Sequence, residues 1–196
     1  MKHKPNTWII LFLICTAFIT MYCQKEEVVT EEAPVEDQLL GDTDAELLTG
    51  VFWTSSPSIN GFTNGRVEDI YRSPTHSFKL SRTVPDPLLS GYYMQTYQRQ
   101  MPYGESLTLN AHIKGVNLEG SGVAIAIVCQ DNNFGRLQVA ATDTISGIKG
   151  TFDWKLYSIV LPKLENNVRY VRAMMLYLPN TSGAAYFDDF SMTHKP

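Results

Sequence analysis

Cysteine is scarce in this chain: 196 residues hold three, Cys15, Cys23 and Cys129. Two of them fall in an N-terminal segment described below. Cys129 is then alone in the rest of the chain, which excludes an intramolecular disulfide there. It closes the apolar run that starts at Val123 and is expected as a small buried hydrophobe. Long hydrophobic runs are also missing. Trp8 to Tyr22 is uncharged and mostly apolar, but its 15 residues fall short of the roughly 20 that a bilayer span needs. Basic residues do not dominate: 16 Lys and Arg stand against 20 Asp and Glu, which argues against a nucleic-acid partner. Helical periodicity is almost absent from Leu47 onward. Catalytic spacing is absent as well. His76, His112 and His194 stand at no distance that suits metal ligation or nucleophile activation. Asp153, Asp188 and Asp189 are scattered or adjacent, not paired as glycoside hydrolysis requires, so no enzyme is expected.

What is present at the N-terminus reads as an export signal. Lys2 and Lys4 make a positive start, the apolar run follows, and the chain turns charged directly after Cys23 with Gln24, Lys25, Glu26 and Glu27. This stretch resembles the one that follows the lipidated cysteine in surface-exported lipoproteins of one group of Gram-negative bacteria. Tyr22 departs from the small residue usual before that cysteine. The resemblance implies a signal peptide over 1–22, lipidation of Cys23, and anchoring in the outer membrane with the chain exposed at the cell surface. Several acyl chains hold a protein far more firmly than one. Without residues 1–22 the formal net charge is −6. Residues 23–46, rich in Glu, Asp, Val, Thr and Pro, are expected as a disordered acidic tether. The remaining 47–196 is long enough for one domain with a substantial core.

Strand signals fill that domain. Leu107, Leu109, Ala111 and Ile113 alternate with polar partners, and Val123, Ile125, Ile127 and Cys129 repeat the period. Further strands are expected at Ser77 to Arg82, Tyr92 to Gln100, Leu137 to Thr142, Phe152 to Leu161, Tyr170 to Leu178 and Ala184 to Thr193. Turns such as Glu119 to Gly122, Asn132 to Gly135 and Asn180 to Gly183 separate them. About eight antiparallel strands without intervening helices predict an all-β sandwich or barrel.

From Gly91 to Ser191 the pattern resembles the galactose-binding-like jelly rolls that include many carbohydrate-binding modules. The resemblance rests on the Leu-x-Leu-x-Ala strand at 107–111, on Phe152, Asp153 and Trp154, and on the closing Gly183, Tyr186, Phe187, Asp188 and Asp189. It implies a jelly-roll β-sandwich and a carbohydrate ligand. Along Tyr92 to Gln100, alternation places Tyr93, Gln95, Tyr97 and Arg99 on one face. Asn110, His112 and Tyr177 are expected to join them, with Ala124 and Ala126 leaving a hollow. A single bulge would exchange that face for Tyr92, Met94, Thr96 and Gln98. Trp154 is expected in the core, as in related domains, while Trp53 is open. Related domains also hold a structural calcium near the last strand, which would fall to Asp188 and Asp189; the Glu they often carry early in the domain is missing here. The expected function is a non-catalytic glycan-binding lipoprotein of the cell surface. Two alternatives stay open: a structural lipoprotein that docks other envelope proteins and, more distant, a polysaccharide lyase or hydrolase.

Overall fold

The computed structural model describes residues 37–47, 50–143 and 147–196. The export signal, Cys23 and Gln24 to Glu27 lie outside them. The described residues form nine strands and no helix: β1 (Thr54–Ser55), β2 (Phe62–Val67), β3 (Ser77–Arg82), β4 (Gly91–Tyr97), β5 (Ser106–Gln130), β6 (Arg136–Ala141), β7 (Ile148–Leu161), β8 (Tyr170–Tyr177) and β9 (Thr181–Lys195). Every pairing is antiparallel. The all-β expectation holds, with β1 and β2 added to the strands legible in sequence. β2 reads Phe-Thr-Asn-Gly-Arg-Val, in which only Phe62 is fully buried, so no apolar period announces it.

The long β5 organises the molecule. Its first part, up to Gly120, pairs with β7 and β9, and its second, from Val123, pairs with β8 and β6, Val123 also standing opposite Ile148 of β7. One sheet therefore runs β7–β5–β9–β3–β2 and the other β6–β5–β8–β4–β1. The turn expected at Glu119 to Gly122 is instead a bend within a continuous strand. Gly120 and Gly122 carry it with φ of 75° and 80°. A Cβ on Gly120 would stand 1.8 Å from the carbonyl oxygen of Asn180, so only glycine fits.

The apolar faces of the two sheets meet in one core, which includes Leu107, Leu109, Ile113, Ile125, Ile127 and Phe187. Aromatic rings bridge the layers. Phe78 of β3 lies 4.5 Å from Tyr93 of β4, and Phe62 of β2 lies 5.6 Å from Tyr177 of β8. Trp53 is buried against Phe78 and Phe190, and Cys129 is buried as expected. Trp154, expected in the core, is only half-buried and stands outside it.

Residues 37–46, expected as part of the tether, are instead packed on the sandwich. Leu40 and Ala45 are buried. The Leu39 amide donates to the Met192 carbonyl at 2.8 Å, and the Phe190 amide donates to the Thr43 carbonyl at 2.6 Å. The apolar pair Leu39 and Leu40 explains this, since it supplies burial that a solvated tether would lack. The packed body thus takes in residues ahead of the expected boundary at Leu47.

Candidate functional site

The phase of β4 decides which side chains a ligand can reach. Its burial alternates so that Gly91, Tyr93 and Gln95 point inward, while Tyr92, Met94 and Thr96 point to solvent. Tyr93 is fully buried beneath Phe78. Gln95 is buried too, and its amide clasps the N-terminal segment: Oε1 accepts from the Gly41 amide at 2.7 Å and Nε2 donates to the Gly41 carbonyl at 2.8 Å. Tyr177 is a core residue whose hydroxyl donates to the Gly183 carbonyl at 2.9 Å; burial pushes that hydroxyl's pKa up to about 12. The expected face of Tyr93, Gln95 and Tyr177 is therefore interior. The reason is hydrophobic: β8 covers one edge of β4, and the larger apolar surface is gained by turning Tyr93 toward Phe78.

The other expected residues are dispersed. Tyr97 and Arg99 line a cleft of about 1010 Å³ between the β4–β5 connection and the N-terminal segment, together with Phe52, Gln98 and Tyr103. Asn110 and His112 lie on the outer face of the opposite sheet. Asn110 Nδ2 donates to Ser191 Oγ at 3.0 Å. His112 stands 4.0 Å from Asp189.

The acidic pair does not fit a calcium site. The two oxygens of buried Asp188 accept four hydrogen bonds, from the Arg72, Ser73 and Asp189 amides and from Ser73 Oγ, at 2.7 to 3.0 Å. Asp189 is ion-paired with the Arg72 guanidinium. Around this pair stand N–H and O–H donors and a cation, where calcium needs oxygen acceptors. Burial pushes the Asp188 carboxyl above its ordinary range, and the donors pull the other way. What the pair does is tie the chain around Arg72 and Ser73 to β9.

The solvent face of the β6–β5–β8–β4–β1 sheet has the composition of a ligand platform. Register aligns Tyr92 with Leu176 and Ala124, Met94 with Met174 and Ala126, and Thr96 with Arg172 and Val128. Ala124 and Ala126 are small and both are buried beneath the longer side chains around them; they share the face of Tyr92 and Met94, not the face of Tyr93 beside which a hollow was expected. At one end the rings of Phe134 and Tyr170 stack at 4.9 Å with 19° between planes. Phe134 remains 56% exposed. Its loop is rigidly built: Asp131 Oδ1 accepts from the Asn133 and Gly135 amides, both at 2.8 Å, and Gln130 Nε2 donates to the Phe134 carbonyl at 2.8 Å. The Arg172 guanidinium lies 5.8 Å from the Phe134 ring centre.

Two buried polar atoms at this end have no partner, Arg172 Nε and Gln130 Oε1. What stays accessible is the Phe134 ring, with Tyr170 and the Arg172 guanidinium beside it, a mixed aromatic and polar edge that suits a ligand carrying both apolar C–H surface and hydroxyl groups. In sequence Phe134 is an available aromatic within the turn at Asn132 to Gly135, but nothing there joins it to Gln130, Tyr170 and Arg172. The aromatic inside a polar Asn-Asn-Phe-Gly turn was the available signal.

No family model matches the chain, and no curated protein matches it. Solved structures do. A domain of tailspike protein 4 from Bacteriophage CBA120, described as enzymatically active, aligns with a TM-score of 0.61 and 15% identity over 81% of this chain; this chain spans only 21% of the tailspike chain. The CBM22-1 xylan-binding domain of Xyn10C from Paenibacillus barcinonensis aligns at 0.53 with 14% identity, covering 83% of this chain and 97% of that one. A cyclase from Fischerella sp. TAU, solved with an indole ligand, aligns at 0.58 with 12% identity over 74% of this chain and 86% of its own. At these identities the likeness is one of fold, and a fold shared by binding modules and enzymes does not fix a function. The protein is an all-β jelly-roll sandwich of the kind built by carbohydrate-binding modules.

Proposed function

We infer that this chain is a lipoprotein, tethered at the cell surface through Cys23, whose sandwich holds glycan without transforming it. The observation that supports the reading best is the Phe134–Tyr170 stack, with Phe134 56% exposed and the Arg172 guanidinium beside it. Sugar rings lay C–H groups on aromatic faces, and their hydroxyls hydrogen-bond to polar side chains at the edge of such a face. A xylan-binding domain among the structural neighbours is consistent with a glycan ligand here. The tether would hold this platform near the cell, where captured polymer is useful to surface machinery.

The test is binding of the full chain to a panel of neutral polysaccharides, with Phe134→Ala and Arg172→Ala alongside. Retention of one polymer class by the wild type, lost in both variants while unfolding midpoints stay unchanged, is the expected result. The anchor is tested separately by mass spectrometry of Cys23, which should carry acyl chains. A second reading is favoured by the aliphatic rows of the same face, where Val139 is 47% exposed and Met94, Met174 and Leu176 are half-buried. These would dock another envelope protein, and absence of binding across the panel would move the assignment there.

A further inference from the structure

The cleft of about 1010 Å³ at the β4–β5 connection is walled on one side by the N-terminal segment. That wall is fixed in place. The Gln95 amide holds both backbone groups of Gly41, and the Phe52 ring closes over the same residue. A Cβ on Gly41 would stand 2.3 Å from that ring, so only glycine lets the segment lie here. The Leu39 amide donates to the Met192 carbonyl, and Gln38 Oε1 accepts from the Met192 amide at 2.8 Å. A wall fastened at this many points is preorganised, so little ordering remains to be done when a ligand arrives.

The other wall is the chain from Thr96 to Tyr103. Two tyrosines in it are held by their own hydroxyls: Tyr97 donates to the Gln100 carbonyl at 2.8 Å, and Tyr103 to the Val168 carbonyl at 2.9 Å. Between them Gln98, Arg99 and Gln100 are exposed, and none of their side chains forms a hydrogen bond or ion pair among the described residues. Phe52 faces them from across the cleft and is itself 39% exposed. Aromatic surface interleaved with amides and a guanidinium offers a sugar both a face for its C–H groups and partners for its hydroxyls.

Register brings this cleft up against the Phe134 platform. Thr96, which lines the cleft, pairs with Arg172, and Arg172 pairs with Val128, all on the solvent face of the sheet. The Arg172 guanidinium lies beside the Phe134 ring, so this row joins the two regions. A second link runs along the end of the sheet. The Tyr103 hydroxyl accepts from the Arg169 guanidinium at 2.8 Å, and the Arg169 amide donates to the Gln130 carbonyl at 2.7 Å, at the foot of the Phe134 loop. Two strand spacings, about 10 Å, separate Val128 from Thr96, more than one sugar ring covers. We propose that platform and cleft are one extended site for a linear glycan, which leaves the Phe134 ring, crosses Arg172 and Thr96, and enters the cleft between Phe52 and Arg99. The proposal rests on the glycan reading of the platform and adds the form of the ligand: a chain of several sugars held along its length.

Calorimetry of the full chain tests this with xylo-, cello- and manno-oligosaccharides, each as the disaccharide and the hexasaccharide. In at least one series the hexasaccharide is expected to bind roughly tenfold more tightly than the disaccharide. Arg99→Ala should remove most of that gain and leave the disaccharide unchanged. Phe52→Ala should do the same, its unfolding midpoint checking that the N-terminal segment stays packed. Phe134→Ala should weaken both lengths. Lys79→Ala, on the opposite sheet and with the same change in net charge as Arg99→Ala, should alter neither. The proposal is overturned if no hexasaccharide binds, or if Arg99→Ala and Lys79→Ala behave alike. Equal binding of both lengths that still needs Phe134 overturns the extended site and leaves the platform standing. A hexasaccharide that binds as well without Phe134 overturns both.

Discussion

The two outer faces of this sandwich hang on the same strand, β5, and differ in almost everything else. On the β8 side its outward residues are Ala124, Ala126 and Val128, flanked by Met174, Leu176 and Tyr92. On the β9 side they are Asn110, His112 and Lys114, with Ser191 and Tyr186 across the pairing. The first face is apolar and ends in stacked rings. The second is polar and is tied to the chain around Arg72 through Asp188 and Asp189. The interior is continuous beneath both. The chain thus uses one core to support two surfaces of opposite chemistry, and residues that look alike in sequence act differently according to which side of a sheet they occupy. Tyr93 and Tyr92 are neighbours, yet one holds the sheets together and the other faces solvent.

That contrast can be broken in the core first. Tyr93→Ala should cost about 3–5 kcal/mol, because a large ring between the sheets is removed and the cavity relaxes only in part. Denaturant unfolding measures it, and any loss of ligand binding should accompany loss of fold. Gly120→Ala attacks the bend by which β5 serves both sheets. With φ of 75° and a backbone oxygen where the Cβ must go, it should cost about 2–3 kcal/mol, measured in the same way. Asp188→Asn tests the tie on the polar side. It replaces an acceptor of four hydrogen bonds by a group with one acceptor and two added hydrogens, and should cost about 1–3 kcal/mol. Calcium should not change the unfolding midpoint of the wild type if the donors around Asp188 have been read correctly.

Phe134→Ala reverses the relation between stability and binding. Its ring is mostly exposed, so the unfolding free energy should move by less than about 1 kcal/mol while affinity for a neutral glycan falls roughly tenfold.

The smallest effect concerns Glu46 and His76, which fasten the N-terminal segment to the chain just before β3. His76 Nδ1 and amide N both lie 2.8 Å from the Glu46 carboxylate. Burial tends to raise the Glu46 pKa, but hydrogen bonds from the His76 side chain and backbone and from Thr75 outweigh it and bring the carboxyl down to about 2. The bond to Glu46 raises the pKa of His76, burial opposing. A lowered carboxyl stabilises above its ordinary value and loses this as pH falls toward its folded value. A raised imidazole stabilises below its ordinary value and loses this as pH rises past its folded one. The fastening is therefore strongest between about pH 4.5 and 6.5, the two ordinary values. The difference in unfolding midpoint between wild type and Glu46→Gln should peak there and shrink toward pH 3 and pH 9.

Much of the architecture was legible in residues alone. Ser77 to Arg82 matches β3 at both ends, and the alternating runs at 107–113 and 123–129 lie in β5 with their apolar sides in the core as expected. Alternation, however, states only that two faces differ. Along Tyr92 to Gln100 both faces carry aromatic and polar residues, so the pattern holds no sign of which one is inside. That choice rests on Phe78, fifteen residues before Tyr93 in sequence and directly opposite it in space. The candidate site was illegible for a related reason. Gln130, Phe134, Tyr170 and Arg172 belong to two strands and a loop, and they meet only because β5 and β8 pair in one register.

The sequence by itself determined the all-β class, the antiparallel strands, the solitary buried Cys129 and the excess of acid over base. These follow from local period, turn chemistry and composition, which need no knowledge of neighbours. The tertiary structure decided the inward turn of Tyr93 and Gln95, the packing of residues 37–46, the hydrogen-bonding role of Asp188 and the meeting of Phe134 with Tyr170. Each depends on which distant segment arrives to bury a surface or satisfy a bond, and burial is a property of the assembled sheets.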